Sequence, residues 1–285
     1  MVKNMKKLAW GARSRRFKSS HPDFFFSAAC DSTNTSRQLS KIARMVGNAQ
    51  MKAIIFDCDG TLVDSEESHF FAWRRAVRNW GGHLTPEEYL SYAGQPGATI
   101  ARHLAEKTNH NCADELFTQK REYFLEYVRK GLPPIKDTVE FVHRLLKEKE
   151  KLGIQLAIAS ATVKAEIVQN LEFLGIKKAF DVVLSGHEDL NDYHDPEGVN
   201  KPKPYIYLHA AKLLHVSPSE CVVIEDSMTG VLAGKAAGCI TIAIPNRFTK
   251  TQDLSAATLK IDSLSGISVD RFLQIARELK LTDGF

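Results

Sequence analysis

From residue 51 onward, short runs of apolar residues alternate with amphipathic segments along the chain. Each run has the length of a buried strand, and the runs span residues 52–56, 154–159, 180–184, 221–224 and 239–244. Between them, apolar residues recur every three or four positions, as at Val139, Val142 and Leu146, which predicts helices. Alternating strands and helices, with almost continuously apolar strands, predict an α/β fold: a doubly wound parallel sheet covered by helices on both faces.

The stretch between the first two predicted strands carries only helix signals. Phe70, Trp73 and Val77 are spaced as on one helical face, and further apolar faces follow up to the pair Pro133-Pro134. We therefore predict an all-helical cap, residues 66–132, inserted into a Rossmann-like core. That core would consist of residues 51–65 and 133–285.

The first fifty residues differ in composition from the rest of the chain. They hold ten Lys or Arg, two Asp and seven Ser, which leaves 28 basic and 32 acidic groups for the remainder. This composition is typical of an organellar transit peptide, and the alternatives are a disordered tail or a gene start placed upstream of Met51. We expect a cytoplasmic protein, or an organellar one if residues 1–50 are a targeting segment.

Composition also excludes several classes of function. The remainder of the chain has no basic surplus, so we expect no nucleic-acid partner. None of the apolar runs is long enough to cross a bilayer, so we expect no membrane partner. The five cysteines form no C-x-x-C pair, which argues against a disulfide scaffold and a structural zinc site. Because no long apolar stripe demands a partner, a monomer is expected.

Polar side chains follow the predicted strands where these end. They are Asp57, Asp59, Ser160, Lys201, Glu225 and Asp226. Because ligands bind at the carboxyl ends of the strands in open parallel sheets, these side chains should meet at one edge. Converging carboxylates repel unless a cation binds them, and Mg²⁺ prefers such oxygen ligands. The lysine and the serine suit the oxygens of a phosphoryl group, so the predicted substrate is a small phosphorylated metabolite.

Taken one at a time, these residues have ordinary alternative roles. Ser160 at a strand end is also typical of a helix N-cap, and a loop lysine such as Lys201 is usually solvated. Glu225 and Asp226 suit the acidic start of a helix. Lys203 competes with Lys201 for the role at the phosphate.

Taken together and in order, the residues resemble the four motifs of the haloacid dehalogenase superfamily over residues 52 to about 247. The motifs are Asp57-x-Asp59-Gly60-Thr61, Ser160, Lys201-Pro-x-Pro204 and Glu225-Asp226-Ser227. The resemblance implies that Asp57 attacks phosphorus to form an aspartyl-phosphate, while Asp59 protonates the leaving oxygen and then activates water.

The same resemblance implies the remaining site residues. Mg²⁺ would be bound by Asp57, the backbone carbonyl of Asp59, Asp226 and Glu225, the last directly or through water. Phosphate and substrate would contact four further residues of the core, namely Ser160, Lys201, Thr61 and Ala161.

The start of the predicted cap resembles the subgroup that contains β-phosphoglucomutase and its sugar-phosphatase relatives. The stretch is Asp64-Ser65-x-x-x-His69-Phe70-x-Ala72-Trp73, in which His69 would contact substrate; a packed or surface histidine is the alternative. The mutases also carry an arginine in a cap loop that here, at residues 94–98, has none. Lys120, Arg121 or Arg129 would have to replace it, but on a long helix each is expected to be a solvated charge.

These features predict a Mg²⁺-dependent phosphatase of a small phosphomonoester, and a sugar phosphate fits the resemblance best. A phosphosugar mutase is the first alternative. Two further alternatives are disfavoured. Carbon–halogen hydrolysis would not need the carboxylates that suit Mg²⁺, and a non-enzymatic binding protein would not need an intact Asp57. The loop at residues 186–200 carries His187, Asp192, His194 and Asp195, which we interpret as a solvated loop and not as a second metal site.

Overall fold

The computed structural model describes residues 50–92, 95, 97–109 and 111–282. The predictions for the first 49 residues, and for Gly94 and Pro96 of the arginine-free loop, concern positions outside these ranges. Within the described ranges, no helix is both long enough and apolar enough to span a membrane.

Six parallel strands form one sheet. They are β1 (Ala53–Phe56), β2 (Gln155–Ser160), β3 (Val182–Ser185), β4 (Cys221–Glu225), β5 (Ile240–Ala243) and β6 (Leu259–Lys260). The order across the sheet is β3-β2-β1-β4-β5-β6, so β1 lies in the middle between β2 and β4. The predicted doubly wound parallel sheet is confirmed. Five of the strands match predicted runs to within two residues, while β6 is too short and too polar to have been predicted.

Helices cover both faces of this sheet. They are α5 (Lys136–Leu152), α6 (Lys164–Phe173), α7 (Tyr205–Leu213), α8 (Met228–Ala236) and α9 (Val269–Thr282). Successive side chains of a strand point to opposite faces, and β1 shows this directly. Ile54 and Phe56 belong to one buried apolar cluster, whereas Ala53 and Ile55 belong to a second. Two apolar layers therefore enclose the sheet and hold the carboxyl ends of its strands in place.

Between β1 and α5 the chain forms a helical insertion. It consists of α1 (Glu66–Asn79), α2 (Pro86–Leu90), α3 (Gly97–Lys107) and α4 (Ala113–Lys130). Its own apolar cluster includes Trp73, Leu104 and Leu116, all at most 1% exposed. The short helix α2 was not predicted, although Thr85 caps its first turn by accepting a hydrogen bond from the Glu88 N–H at 3.2 Å.

The two ends of the helical insertion lie side by side. Val63 and Pro134 form an antiparallel bridge, and the Asp64 N–H donates to the Pro133 carbonyl at 2.8 Å. The Ile135 N–H donates to the Leu62 carbonyl at 2.9 Å. The insertion therefore leaves and rejoins the sheet at one point, close to the carboxyl end of β1.

Candidate active site

The turn after β1 places two aspartates at the carboxyl edge of the sheet. The Asp57 N–H donates to the Ile224 carbonyl at 3.0 Å, which extends the pairing of β1 with β4 by one residue. Gly60 then turns the chain with a φ of +83°, and a Cβ atom there would lie 2.4 Å from Oδ2 of Asp226. Only glycine permits both this backbone conformation and this close approach.

Three carboxylates meet where β1 and β4 end. Asp57, Glu225 and Asp226 each offer an oxygen within 4.8 Å of the others, and each residue is at most 6% exposed. The structure therefore brings together the predicted acidic residues of both strands. Asp59 points to the same edge but is less buried than Asp57.

Lys201 reaches into this cluster from the loop before α7. Its Nζ atom lies 2.6 Å from Oδ1 of Asp57, 2.6 Å from Oε1 of Glu225 and 2.9 Å from the Ala159 carbonyl oxygen. The Lys201 side chain is 8% exposed, so it is not a solvated loop lysine. Lys203 points elsewhere and pairs with Glu197 at 2.5 Å, which favours Lys201 for the predicted role.

One ammonium group does not balance three buried carboxylates. Burial, and then the charge of Glu225, raise the pKa of Asp57 to about 8 even though Lys201 opposes the shift. Burial, and then Glu225 and Asp57, raise the pKa of Asp226 well above its usual range. Burial also favours the neutral form of Glu225, but Lys201 outweighs this effect and its pKa is lowered.

These shifts show where a cation would restore the charge balance. The surplus negative charge lies on Asp57 and Asp226, whose ionised forms are disfavoured without a positive partner. The available ligand atoms are carboxylate oxygens, with no nitrogen or sulfur ligand in the cluster. This donor set fits a hard divalent ion such as Mg²⁺.

The end of β2 contributes a second set of polar groups. The Ser160 hydroxyl accepts a hydrogen bond from the Thr162 N–H at 3.1 Å, and the Thr162 hydroxyl donates to Oδ2 of Asp59. Ser160 is not a helix N-cap, because α6 begins four residues later, with Val163 in the capping position. Ala161 lies exposed between them.

Thr61 remains a candidate on different grounds. Its hydroxyl is buried next to Gly60, and within the described part of the chain this oxygen has no hydrogen-bond partner. Buried hydroxyls are normally hydrogen-bonded, so a ligand oxygen would satisfy it.

Three further residues at the site were not predicted. Thr162 holds Asp59, the Tyr207 hydroxyl donates to Oε1 of Glu225 at 2.7 Å, and the Asn246 amide donates to Oδ2 of Asp226 at 2.8 Å. Asn246 follows β5 at its carboxyl end, so the strand-end rule would have found it. Tyr207 lies within an apolar helical face, and its pattern is that of a core residue.

The helical insertion contributes a small cavity of about 170 Å³. His69 and Lys120 line it, and the Lys120 Nζ atom lies 2.8 Å from Nδ1 of His69. The His69 ring stacks on Phe124 with 3.8 Å between ring centroids. His69 is therefore not a surface histidine. Because Lys120 is only 6% exposed, the expectation of a solvated charge is wrong for this lysine.

Burial lowers the pKa values of both basic groups in this cavity. Burial lowers the pKa of Lys120 to about 8. Burial, and then the charge of Lys120, lower the pKa of His69 well below its usual value, so the imidazole is neutral and its Nδ1 accepts from the ammonium. In contrast, Arg129 is exposed, and Arg121 is 46% exposed and pairs with Glu166.

The loop at residues 186–200 brings no second group of ligands together. His187, Asp192 and His194 are exposed, and Asp195 accepts a hydrogen bond from the Tyr205 hydroxyl at 3.0 Å. In the described ranges, Asp57, Glu225 and Asp226 are the one set of three or more acidic, histidine or cysteine residues close enough to share an ion.

Comparison with known proteins places this geometry in a family. Residues 51–238 match the family model of the haloacid dehalogenase-like hydrolases. The chain is 34% identical over 193 residues to a phosphorylated carbohydrates phosphatase of Thermotoga maritima, covering 66% of this chain and 82% of that protein. It is 33% identical over 222 residues to hexitol phosphatase A of Escherichia coli, covering 77% of this chain and 94% of that protein.

A solved structure supports the same fold. The β-phosphoglucomutase of Clostridium difficile superposes with a TM-score of 0.62 at 23% identity, covering 82% of this chain and 100% of that one. The motifs, the arrangement of the strand ends and the sequence matches all agree. The resemblance inferred from the four motifs is confirmed: this chain belongs to the haloacid dehalogenase-like hydrolases.

Proposed function

We propose that this protein is a Mg²⁺-dependent phosphatase that hydrolyses small phosphorylated sugars by way of a phosphorylated Asp57. The contact of Lys201 with both Asp57 and Glu225 carries the proposal, since it fixes a buried carboxylate at the edge of the sheet where ligands bind. The two curated relatives described above are named as phosphatases of phosphorylated carbohydrates and of hexitols, which supports this reaction and this substrate class.

Asp57 is the nucleophile in this proposal. Lys201 occupies its Oδ1 atom at 2.6 Å, and this contact orients the carboxylate and offsets its charge. The other oxygen attacks phosphorus, a P–O bond to Asp57 forms, and the P–O bond to the sugar breaks. Such covalent catalysis divides one difficult step into two easier ones.

Asp59 moves the protons. It donates a proton to the leaving sugar oxygen in the first step. In the second step its carboxylate takes a proton from water, which attacks phosphorus and releases inorganic phosphate and free Asp57. The hydrogen bond from Thr162 restricts the rotation of the Asp59 side chain and holds Oδ2 in one place. Positioned acid–base catalysis of this kind contributes roughly 10²- to 10⁴-fold in rate.

Asp57, Asp226 and the Asp59 backbone carbonyl would hold Mg²⁺ directly. Both oxygens of Glu225 are already engaged, Oε1 by Lys201 and Tyr207 and Oε2 by the backbone of Asp226 and by Ser227. Glu225 therefore suits contact through a water molecule. When bound, the ion would neutralise the carboxylates and the phosphate and so stabilise charge in the transition state.

The phosphate would be held by groups at the ends of β1 and β2. Lys201 supplies positive charge, and the hydroxyls of Ser160 and Thr61 supply hydrogen bonds. Ala161 lies exposed on the same turn, where its backbone N–H is the group available to a phosphate oxygen. Together these four groups would surround a phosphate next to the Asp57 carboxylate.

The helical insertion would act as a cap over this edge. His69 and Lys120 line its cavity and would contact the hydroxyl groups of the sugar. A mutase must hold a second phosphate while the first is transferred, and neither relative described above with more than 30% identity is named a mutase. We therefore propose hydrolysis and not intramolecular transfer.

A panel of phosphorylated metabolites tests the proposal through the release of inorganic phosphate. We expect sugar monophosphates to be hydrolysed with Mg²⁺, no activity in excess chelator, and inhibition by Ca²⁺, which takes a looser and larger coordination shell. Asp57→Asn should retain its circular dichroism spectrum and lose turnover. Full activity in chelator, or an active Asp57→Asn protein, would contradict the proposal.

A further inference from the structure

A carboxylate of the sheet domain pairs with a cation of the helical insertion. Oε1 of Glu166, in the first turn of α6, lies 3.5 Å from Nη2 of Arg121 on α4. The Glu166 side chain is only 12% exposed. Glu166 comes four residues after Thr162, whose hydroxyl donates to Asp59, so this ion pair lies near the reacting groups. Burial raises the pKa of Glu166, although the charge of Arg121 opposes the shift.

A second carboxylate faces the cation inside the cavity of the helical insertion. Glu66, the first residue of α1, lines the same cavity as Lys120, and its Oε2 accepts a hydrogen bond from the Tyr89 hydroxyl at 2.9 Å. Burial favours the neutral form of Lys120, and Glu66 is the strongest influence that favours its charged form. Because His69 is neutral, the carboxylate of Glu66 and the ammonium of Lys120 are the two opposite charges that line the cavity.

Other cations that follow the strand ends are also paired. Both carboxylate oxygens of Asp189 lie 2.9 Å from Nζ of Lys164. Arg247, in the loop after β5, lies 3.3 Å from Asp64 and 3.2 Å from Glu67. These cations already have anionic partners, so a second anionic group on the substrate would have to displace a carboxylate.

The walls of the cavity suit an uncharged, hydroxylated group. Trp73, Tyr89 and Tyr92 provide aromatic surface, while Gln95 and the charged pair provide hydrogen-bonding groups. A site that combines aromatic surface with a few fixed polar groups is typical of small-molecule recognition. The cavity therefore complements the C–H faces and hydroxyls of a sugar or polyol.

We propose that Glu66 and Glu166 restrict the enzyme to monophosphates with an uncharged, hydroxylated remainder, and that they reject sugars carrying a second phosphate. This inference rests on the proposed phosphatase function and adds the substrate class. A second phosphate would add roughly two negative charges to a region where Glu166 already pairs with Arg121 and Glu66 lines the same cavity as Lys120. Repulsion between like charges would therefore weaken binding of the bisphosphate while leaving binding of the monophosphate unaffected.

The test compares two substrates in one preparation of enzyme. We would measure kcat/KM for the best sugar monophosphate of the panel and for the 1,6-bisphosphate of the same sugar. Their ratio is independent of the fraction of enzyme that is folded. In the wild type we expect the monophosphate to be favoured at least about tenfold. Glu166→Gln and Glu66→Gln should each shift the ratio toward the bisphosphate by roughly fivefold or more, mainly through KM.

Glu172→Gln is the matched control. Glu172 lies on the same helix as Glu166 but pairs with Lys177 at 2.6 Å and is 58% exposed, so its removal should leave the ratio unchanged. The inference is overturned if the wild type hydrolyses the bisphosphate as well as the monophosphate, or if either glutamine variant keeps the wild-type ratio within about twofold. If no phosphomonoester is hydrolysed at all, the proposed function fails, and this inference fails with it.

Discussion

The side-chain amide of Asn246 donates a hydrogen bond of 2.8 Å to Oδ2 of Asp226, and so joins the loop after β5 to the carboxylate cluster. The same nitrogen lies 3.3 Å from the Gly60 carbonyl oxygen, in the turn after β1. The Asn246 side-chain carbonyl in turn accepts from the N–H groups of Phe248 and Thr249 at 2.8 and 3.2 Å. Asn246 is therefore held by its own loop while it orients Asp226.

This contact predicts that Asn246→Ala weakens metal binding. Groups that orient a metal ligand typically contribute ten- to a hundredfold to affinity, so we expect the dissociation constant for Mg²⁺ to rise about tenfold or more. Calorimetric titration measures this directly, and the Mg²⁺ dependence of turnover gives an independent value. Asn191→Ala, at an exposed loop position, is the control. An unchanged Mg²⁺ affinity in Asn246→Ala would show that Asp226 does not need this partner.

Gly230 of α8 lies against Glu225, and we predict that replacing it lowers both stability and activity. A Cβ atom at this position would lie 1.8 Å from Oε1 of Glu225, the oxygen that Lys201 and Tyr207 contact. Gly230→Ala must therefore displace the Glu225 carboxylate. We expect Gly230→Ala to lower the melting temperature and turnover together.

The control for this prediction is Gly153→Ala. Gly153 has a φ of +63°, and a Cβ atom added there would meet no other atom within 4 Å, so alanine adds only backbone strain. That strain costs about 1 kcal/mol and should leave kcat unchanged. If Gly230→Ala kept full activity, the contact of Glu225 with Lys201 would be unimportant for turnover.

The buried Lys120 predicts a variant that is more stable and less active. Its folded-state pKa, about 8, lies below the ordinary value of 10.5. The unfolded chain therefore binds the proton more tightly. The charged lysine destabilises the folded protein fully below pH 8, and this effect declines as the pH rises from 8 to 10.5.

Lys120→Met removes the charge while keeping an unbranched side chain of similar length. We expect a higher melting temperature than wild type at about pH 7, a smaller difference at about pH 9.5, and a lower kcat/KM for sugar phosphates. Lys107→Met is the control, because Lys107 is 42% exposed and pairs with Glu88 at the surface. A melting temperature below that of wild type at about pH 7 would contradict the expected cost of burying this charge.

The sequence predicted most of the sheet because its strands are buried on both faces. Runs such as 52–56 and 221–224 are apolar at every position except Lys52, and this pattern has few other interpretations. The strand β6 escaped prediction because its two residues, Leu259 and Lys260, are half-buried and exposed. A strand this short at the edge of a sheet depends on its neighbour for its structure.

The residues of the candidate site also fall into those that the sequence predicts and those that it does not. Asp57, Asp59, Glu225 and Asp226 could be assigned because each follows a strand, and the rule for strand ends applies to them directly. Tyr207 and Lys120 could not, because their roles depend on which helices pack together. Thr162 lies two residues past the end of β2, so the same rule would have found it, as it would have found Asn246. Lys120 in particular has the spacing of a solvated helical charge, and only the packing of α4 against α1 buries it beside His69.

The central claim is that Asp57 carries the phosphoryl group and that Asp59 moves the protons. Asp59→Asn keeps an oxygen to accept the Thr162 hydrogen bond and should bind substrate, but it removes the proton donor and the base. Turnover should fall roughly 10²- to 10⁴-fold, with release of the phosphoryl group slowed because no base activates water.

The most direct measurement is mass spectrometry of acid-quenched Asp59→Asn protein after incubation with substrate and Mg²⁺. We predict one added phosphoryl group on the peptide that contains Asp57, and none in the Asp57→Asn protein treated in the same way. A phosphoryl group on a different peptide, or turnover by Asp57→Asn, would contradict the account.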